Sequence, residues 1–189
     1  MFLDATRSLL TDQGIVVLGI PIPSSSPVFL AVVAVHVAAG LSCVIAGAIA
    51  MLSSKRVGRH PSAGTFYYWS LVMVFVSMTA LSILRWPHDN HLLTLGILSF
   101  GAGFIGRAAR RHLWTGWPRI HVSGMGLSYI LLLTAFYVDN GPSLPVWKLL
   151  PSWSYWLAPS LFGLPILSWA LRRHPLVRRA NSTAGPGVA

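Results

Sequence analysis

The sequence predicts an all-α integral membrane bundle of five transmembrane helices, with the amino terminus outside and the carboxyl terminus in the cytoplasm. Three observations lead to this prediction. Hydrophobic residues make up 54% of the 189 residues and only 10% are charged, whereas a soluble domain carries about a quarter charged residues. The apolar residues also gather into stretches long enough to cross a bilayer, and the basic residues gather in alternate connections between these stretches.

Residues 1–27 are predicted to form an extracytoplasmic amino-terminal segment. They have neither the basic start nor the small-residue cleavage site of a secretory signal peptide. The stretch IVVLGIPIP within this segment is too short to span a bilayer and is interrupted by Pro21 and Pro23. We therefore expect it to lie at the membrane interface.

A spanning helix needs about 20 mostly apolar residues, within a range of about 17 to 25. Five stretches are predicted to span, at about 28–52, 65–84, 91–109, 121–138 and 155–171. The third is long enough only if His91 and Arg107 to Arg111 lie in the two interfaces, with Arg107 snorkelling outward. Pro159 and Pro165 are expected to kink the fifth helix, which neighbouring helices can tolerate.

Charge gives the bundle a direction. When the connections are assigned alternately to two sides, one side receives eleven of the 14 basic residues and the other receives three; the three are Arg7, Arg85 and Lys148. All four acids, Asp4, Asp12, Asp89 and Asp139, fall on the side with few basic residues. Because positive residues mark cytoplasmic loops, this pattern predicts that residues 172–189 form a basic cytoplasmic tail that is disordered at its end. Orientation accounts for the net charge of +10, so the expected partner is the lipid bilayer and not a nucleic acid.

Small residues repeat at helical spacing on three of the predicted helices. The stripes are His36, Gly40, Cys43 and Gly47 on the first helix, Gly96, Ser99, Gly103 and Gly106 on the third, and His121, Gly124, Ser128 and Ala135 on the fourth. Such stripes let helix backbones approach closely in lipid, within the chain or against a membrane-protein partner or a second copy of the chain. Alternatively, glycines beside a histidine leave room for a flat cofactor.

The histidines fall into two layers and contain a short repeat. HVAAG, at residues 36–40, and HPSAG, at residues 60–64, share a histidine, two residues, an alanine and a glycine. Two layers of paired histidines are typical of membrane cytochromes of the b type, in which imidazoles from two helices ligate each haem iron. This distant architectural likeness predicts haem b ligands at His60 and His121 in the inner layer and at His36 and His91 in the outer layer.

Two other interpretations compete with haem. The stretch WPHDNH places His88, Asp89 and His91 together on the outer side, where Asp139 also lies, and these four side chains could hold a divalent metal. The same stretch is also typical of a solvated turn, which is the simpler interpretation. His36 lies within a predicted span, where it is either a functional residue or one whose packing is satisfied by a hydrogen bond to Ser99, Thr134 or Tyr137.

The order of these features resembles a family of uncharacterised bacterial multi-pass membrane proteins with a domain of unknown function. The matching features are HVAAG in the first helix, the basic loop SSKRVGRH, HPSAGTFYY opening the second helix, and IHVSGMGLSYILLLTAFYVDNGPSLPVW, spread over roughly residues 30 to 170. The family has an arginine after the histidine of the second helix, where this chain has Pro61. The resemblance implies a multi-pass inner-membrane protein and implies no reaction.

Three functions are therefore expected as alternatives. The first is a haem- or metal-binding component of electron transfer. The second is a non-enzymatic structural or accessory subunit that packs through its small-residue stripes. The third is an outward-facing, metal-dependent membrane enzyme.

Overall fold

The computed structural model describes residues 15–17, 20–22, 26–54, 58–85, 89–173 and 177. A short antiparallel ladder precedes five long helices, and two single 3₁₀ turns connect the last two helices. The elements are β1 (Ile15–Val17), β2 (Ile20–Ile22), α1 (Pro27–Leu52), α2 (Arg59–Leu84), α3 (Asn90–Arg111), α4 (Trp117–Asn140), the 3₁₀ turns Gly141–Ser143 and Trp147–Leu149, and α5 (Trp153–Arg173).

Four of these helices are long and apolar enough to cross a membrane: α1, α2, α3, and α4 together with the 3₁₀ turn that ends at Ser143. The fifth helix is 21 residues long, but tryptophan, tyrosine, serine and two prolines lower its hydropathy. The structure therefore confirms a helical chain with several helices suited to a membrane, while the fifth span stays a prediction.

The helices begin earlier than the predicted spans. Helix α2 starts at Arg59, six residues before the predicted start at 65, because Gly58, with φ 120°, ends the preceding connection. Pro61 lies in the first turn of α2, where a missing N–H breaks no helical hydrogen bond. Helix α4 starts at Trp117, after the left-handed Gly116. The added residues are polar or aromatic, and hydropathy alone does not detect them.

The stretch predicted to lie at the interface contains the two strands. Ile15 pairs with Ile22 and Val17 with Ile20 in an antiparallel register. Most of the predicted amino-terminal segment, residues 1–14, lies outside the described residues, as does the end of the predicted cytoplasmic tail.

The helices pack in sequence order, as two tight hairpins joined side by side. The most extensive contacts are those between α3 and α4 and those between α1 and α2, followed by α4 with α5 and α2 with α3. Short connections between consecutive long helices make these neighbours antiparallel. We call the pair α1 and α2 the first hairpin, and α3 and α4 the second hairpin.

The stripes on α3 and α4 form the contact within the second hairpin. A Cβ at Gly124 would lie 2.7 Å from the Ala102 carbonyl oxygen and 2.8 Å from the Gly106 Cα. One turn further along, the Ser99 hydroxyl donates a hydrogen bond of 2.8 Å to the Ser128 carbonyl. The predicted close packing of these two stripes is confirmed, and it occurs within the chain.

The core lies where the two hairpins meet. Its buried residues are Cys43, Ala46, Tyr67, Leu71 and Leu132. Tyr67 is only 2% exposed, and its hydroxyl forms a hydrogen bond of 2.8 Å with the Ser128 hydroxyl. This bond ties α2 to α4, because a polar group in a water-free bilayer must find its partner within the protein.

The two ends of the bundle differ in charge. The end where α2 and α4 begin carries Arg59, Arg107, Arg110, Arg111, Arg119, Arg172 and Arg173, and we call it the basic end. At the opposite end, Arg85 forms a 3.0 Å ion pair with Asp89, and the His91 ring lies 6.1 Å from that of Trp156. Asp139 lies within electrostatic range of Asp89 and His91, so both described acids are at this end, which we call the acidic end.

Candidate functional site

His60 at the basic end is fixed by the neighbouring helix. It is the second residue of α2, and its Nδ1 lies 2.8 Å from the Ala50 carbonyl oxygen of α1. Because a carbonyl only accepts hydrogen bonds, Nδ1 must carry the proton of the ring. The lone pair of the neutral imidazole is therefore on Nε2, the atom that can bind a metal.

His121 has the same arrangement in the second hairpin. Its Nδ1 lies 3.0 Å from the Gly106 carbonyl oxygen of α3 and therefore donates its proton to that oxygen. The contact is short because Gly106 and Gly124 bring the backbones of α3 and α4 together. The glycine stripe thus positions the histidine as well as the helices.

The structure brings these two predicted inner-layer histidines together across the two hairpins. Their ring centroids are 6.4 Å apart and the ring planes are nearly perpendicular, at 89°. Both side chains are half-buried. Histidines that ligate metals commonly donate the other ring N–H to a backbone carbonyl, which fixes the tautomer and the ring orientation. His60 and His121 both have this outer contact.

The glycines that end the two HxxAG motifs differ from the packed glycines of α3 and α4, even though Gly40 belongs to the predicted stripe of the first helix. A Cβ at Gly64, one turn after His60, would meet no atom within 4 Å, and the same is true of Gly40, one turn after His36. A Cβ at Gly103 would instead lie 2.7 Å from Leu71 Cδ2. Open space therefore lies one turn after each motif histidine, on the helix face that the histidine and the glycine share.

His36 is held by a hydrogen bond within the first hairpin. Its Nδ1 lies 2.9 Å from the Ser77 hydroxyl oxygen, and that hydroxyl donates its own proton to the Met73 carbonyl at 2.7 Å. His36 is therefore the donor and Ser77 the acceptor. An interhelical hydrogen bond was expected if His36 has a packing role, but its partner is Ser77 and not Ser99, Thr134 or Tyr137.

The predicted outer pair has separate surroundings. His36 lies nine residues into α1 and contacts α2, whereas His91 is the second residue of α3 and faces Trp156 of α5. The hydrogen bonds and ring contacts of the described residues do not join these two histidines. Their depths differ by about 12 Å at 1.5 Å per residue.

The predicted metal site at the acidic end is described only in part, since His88 lies outside the described residues. Asp89 is buried, at 6% exposure, and its carboxylate is bound to Arg85. Asp139 is exposed and contacts Asn140 at 3.3 Å. Within the described part of the chain, no three His, Cys, Asp or Glu side chains come together as a metal site.

Sequence reasoning did not identify the groups that anchor the histidines. The Ala50 and Gly106 carbonyls are backbone atoms, and no side chain signals their role. Gly106 belongs to a predicted stripe facing that of His121, so the contact could have been inferred once α3 and α4 were known to be neighbours. Ser77 resembles several other serines in the spans and gave no separate signal.

No protein-family model, curated protein or solved structure matches this chain. The resemblance to the uncharacterised membrane family and the likeness to b-type cytochromes therefore remain predictions.

Proposed function

We propose that this chain is a five-span protein of the bacterial inner membrane that holds a haem iron between His60 and His121 and serves in electron transfer. The membrane part of the proposal is supported by four helices apolar enough to span and by the separation of basic and acidic residues between the two ends. The 21 residues of α5 would extend about 32 Å, enough for a hydrocarbon core of about 30 Å. The positive-inside rule would put the basic end in the cytoplasm.

The observation that carries the haem proposal is the pairing of two anchored imidazoles from different hairpins. Each histidine donates its Nδ1 proton to a carbonyl of its own hairpin partner, at 2.8 Å for His60 and 3.0 Å for His121. Such bonds raise the basicity of Nε2 and limit rotation of the ring.

The rings are close enough for both imidazoles to hold one iron, because their centroids are 6.4 Å apart and a metal–nitrogen bond of 2.0–2.1 Å puts a metal about 3.2 Å from the centroid of each ligand ring. A haem iron needs only these two protein ligands, whereas a zinc site takes three or four.

Space for part of a flat group lies beside His60. Gly64 leaves open space on the face of α2 that carries His60. When bound, the haem would supply one-electron chemistry at its iron. His60 and His121 would hold the iron from two hairpins, and the Ala50 and Gly106 carbonyls would keep both imidazoles in the Nδ1–H tautomer.

An optical spectrum of the protein tests this proposal. The protein would be produced in cells supplied with haem, purified in mild detergent, and measured before and after addition of dithionite. We expect a Soret band that shifts and sharpens on reduction, with one haem for each chain. His60→Ala and His121→Ala should each lose the spectrum of an iron with two histidine ligands, and added imidazole should restore it.

His112→Ala is the matched control, because His112 is an exposed histidine at the same end. It should retain the full spectrum. Absence of a Soret band from the wild-type protein would overturn the proposal and favour the accessory-subunit alternative. Full haem content in either His60→Ala or His121→Ala would exclude that residue as a ligand.

A further inference from the structure

A short connection at the basic end holds a leucine in a backbone conformation that usually belongs to glycine. Helix α3 ends at Arg111 and α4 begins at Trp117, and we call residues 112–116 between them the basic-end loop. Leu113 in this loop has φ 50° and is the one non-glycine residue with positive φ in the described part of the chain. A left-handed conformation of an L-residue lowers the folding equilibrium constant about fivefold or more.

The end of α3 explains the backbone of Leu113 but not its side chain. The His112 N–H donates to the Ala108 carbonyl at 2.8 Å, and the Trp114 N–H donates to the Ala109 carbonyl at 3.2 Å. This pattern is a Schellman motif, which needs a left-handed residue between the two donors, and glycine is the usual choice there. Leu113 instead adds a side chain that is 61% exposed, followed in the chain by Trp114, which is 44% exposed. The strained position therefore presents an apolar pair that the described part of the chain leaves largely uncovered.

Positive charge lies next to this apolar pair. The guanidinium of Arg110 lies 4.5 Å from the centroid of the Trp117 ring, so it is held where the basic-end loop joins the two helices. Arg111 is exposed immediately before the loop, whereas the described carboxylates, Asp89 and Asp139, lie at the acidic end. A guanidinium over an aromatic ring can still direct its N–H groups to an anion, because these groups lie in the plane of the guanidinium.

The length of α3 would place the basic-end loop in the headgroup layer of the membrane. Its 22 residues extend about 33 Å at 1.5 Å per residue. The hydrocarbon core of a bilayer is about 30 Å thick, or about 40–45 Å with both headgroup layers. Because the chain turns back into α4 at Trp117, the loop cannot extend far beyond the headgroups. At that depth apolar side chains contact the start of the acyl chains and arginines contact phosphates.

We propose that the basic-end loop binds an anionic phospholipid of the surrounding membrane, an inference that rests on the membrane span of α3 in the proposed function. The phosphate contacts Arg110 and Arg111, and the side chains of Leu113 and Trp114 insert between the first carbons of the acyl chains. The two cations select an anionic headgroup, because a zwitterionic headgroup brings a positive charge of its own. The apolar pair selects a lipid, since a free phosphate ion would leave it uncovered.

Native mass spectrometry of the detergent-solubilised protein tests the proposal. The protein would be mixed with equal amounts of phosphatidylglycerol and phosphatidylcholine that have the same acyl chains, and the retained lipids counted. We expect the wild-type protein to retain phosphatidylglycerol preferentially. Arg110→Gln should lower the preference about fivefold, the effect of one basic residue near an anionic headgroup.

Arg173→Gln is the matched control for the charge. Arg173 also lies over a tryptophan at the basic end, 5.3 Å from the centroid of the Trp169 ring, but it is on α5 and apart from the basic-end loop. Its substitution should change the preference less than twofold. Equal effects of Arg110→Gln and Arg173→Gln would indicate diffuse surface charge and overturn the site.

Leu113→Gly separates a lipid contact from a role in the loop alone. Glycine adopts the left-handed conformation without strain, so the folding equilibrium constant, measured by unfolding in SDS, should rise about fivefold. Retention of phosphatidylglycerol should nevertheless fall about fivefold, because the exposed part of one leucine side chain is lost from the contact with lipid. Higher stability with unchanged lipid retention would overturn the proposal and leave Leu113 as a helix cap.

Failure of the lipid site can be distinguished from failure of the proposed function. A chain that leaves the membrane on washing with alkaline carbonate does not span it, and the proposed function fails together with the site. A chain that stays in the membrane but retains both lipids equally lacks the lipid site alone. That second result would overturn the proposal and favour an acidic protein as the partner of the basic-end loop.

Discussion

Substitution of Gly124 by alanine provides the most direct test of how the second hairpin is held together. A Cβ at this position would lie 2.7 Å from the Ala102 carbonyl oxygen, 2.8 Å from the Gly106 Cα and 2.9 Å from the Gly106 nitrogen. These are backbone atoms and cannot turn aside as a side chain would. To bring the shortest of these contacts to an ordinary distance near 3.4 Å, α3 and α4 must separate by about 0.7 Å.

The size of the effect follows from three terms. Overpacking of this kind costs about 2 kcal/mol, and lengthening of the bond from His121 to the Gly106 carbonyl costs about 0.6 kcal/mol, the average for such bonds in membranes. Alanine in place of glycine within a helix recovers about 1 kcal/mol. We therefore expect Gly124→Ala to lower the free energy of unfolding by about 1.5 kcal/mol.

Gly64→Ala is the matched control, because the same change is made inside a helix where a Cβ would meet no atom within 4 Å. It should raise the free energy of unfolding by up to about 1 kcal/mol. The free energies of unfolding of the two variants should therefore differ by about 2.5 kcal/mol, and the gain in helix propensity cancels in this difference because it is common to both. Unfolding in mixed detergent with increasing SDS, followed by circular dichroism, would measure it. Two variants of equal stability would refute the close contact of α3 and α4.

Two further substitutions test the hydrogen bonds of the other helices. His36→Ala should lower the free energy of unfolding by about 1 kcal/mol and leave haem content unchanged. Ser77→Ala should lower the free energy of unfolding by a similar amount. Loss of haem from His36→Ala would instead make His36 a ligand. Tyr67→Phe should cost about 1 to 2 kcal/mol in the same assay, because it leaves the buried hydroxyl of Ser128 without the 2.8 Å bond to α2; wild-type stability would show that this bond contributes nothing.

Helices and stripes could be predicted from the sequence because both are properties of residues close together in the chain. The long apolar stretches predicted α1 to α4, and the spacing of Gly103, Gly106 and Gly124 predicted a packed face on each of two helices. The starts of α2 and α4 were missed by several residues. At Gly58 and Gly116 the chain adopts positive φ before a helix that begins with polar or aromatic residues, and hydropathy does not register such starts.

Contacts between distant helices could be predicted only in part. His60 and His121 were paired because both lie at the same depth, and the structure places them together. The partner of His36 was not predicted, because Ser77 and Ser99 are both serines in spans and depth alone does not decide which helix lies beside α1. Depth is encoded along the chain, whereas the choice of neighbours depends on packing of the whole bundle.

The two histidines of the candidate site connect parts of the bundle that are otherwise less closely joined. His60 forms a hydrogen bond from α2 to α1, and His121 forms one from α4 to α3, so each histidine is anchored within its own hairpin. The contact between the hairpins, through α2 and α3, is less extensive than the contacts within them. At the basic end the hairpins meet through the two imidazole rings. A ligand bound by both rings would therefore join the hairpins directly, and its binding free energy would favour the docked arrangement over any in which the hairpins separate. Ligand binding and bundle assembly would then be linked, because the same two side chains would serve both.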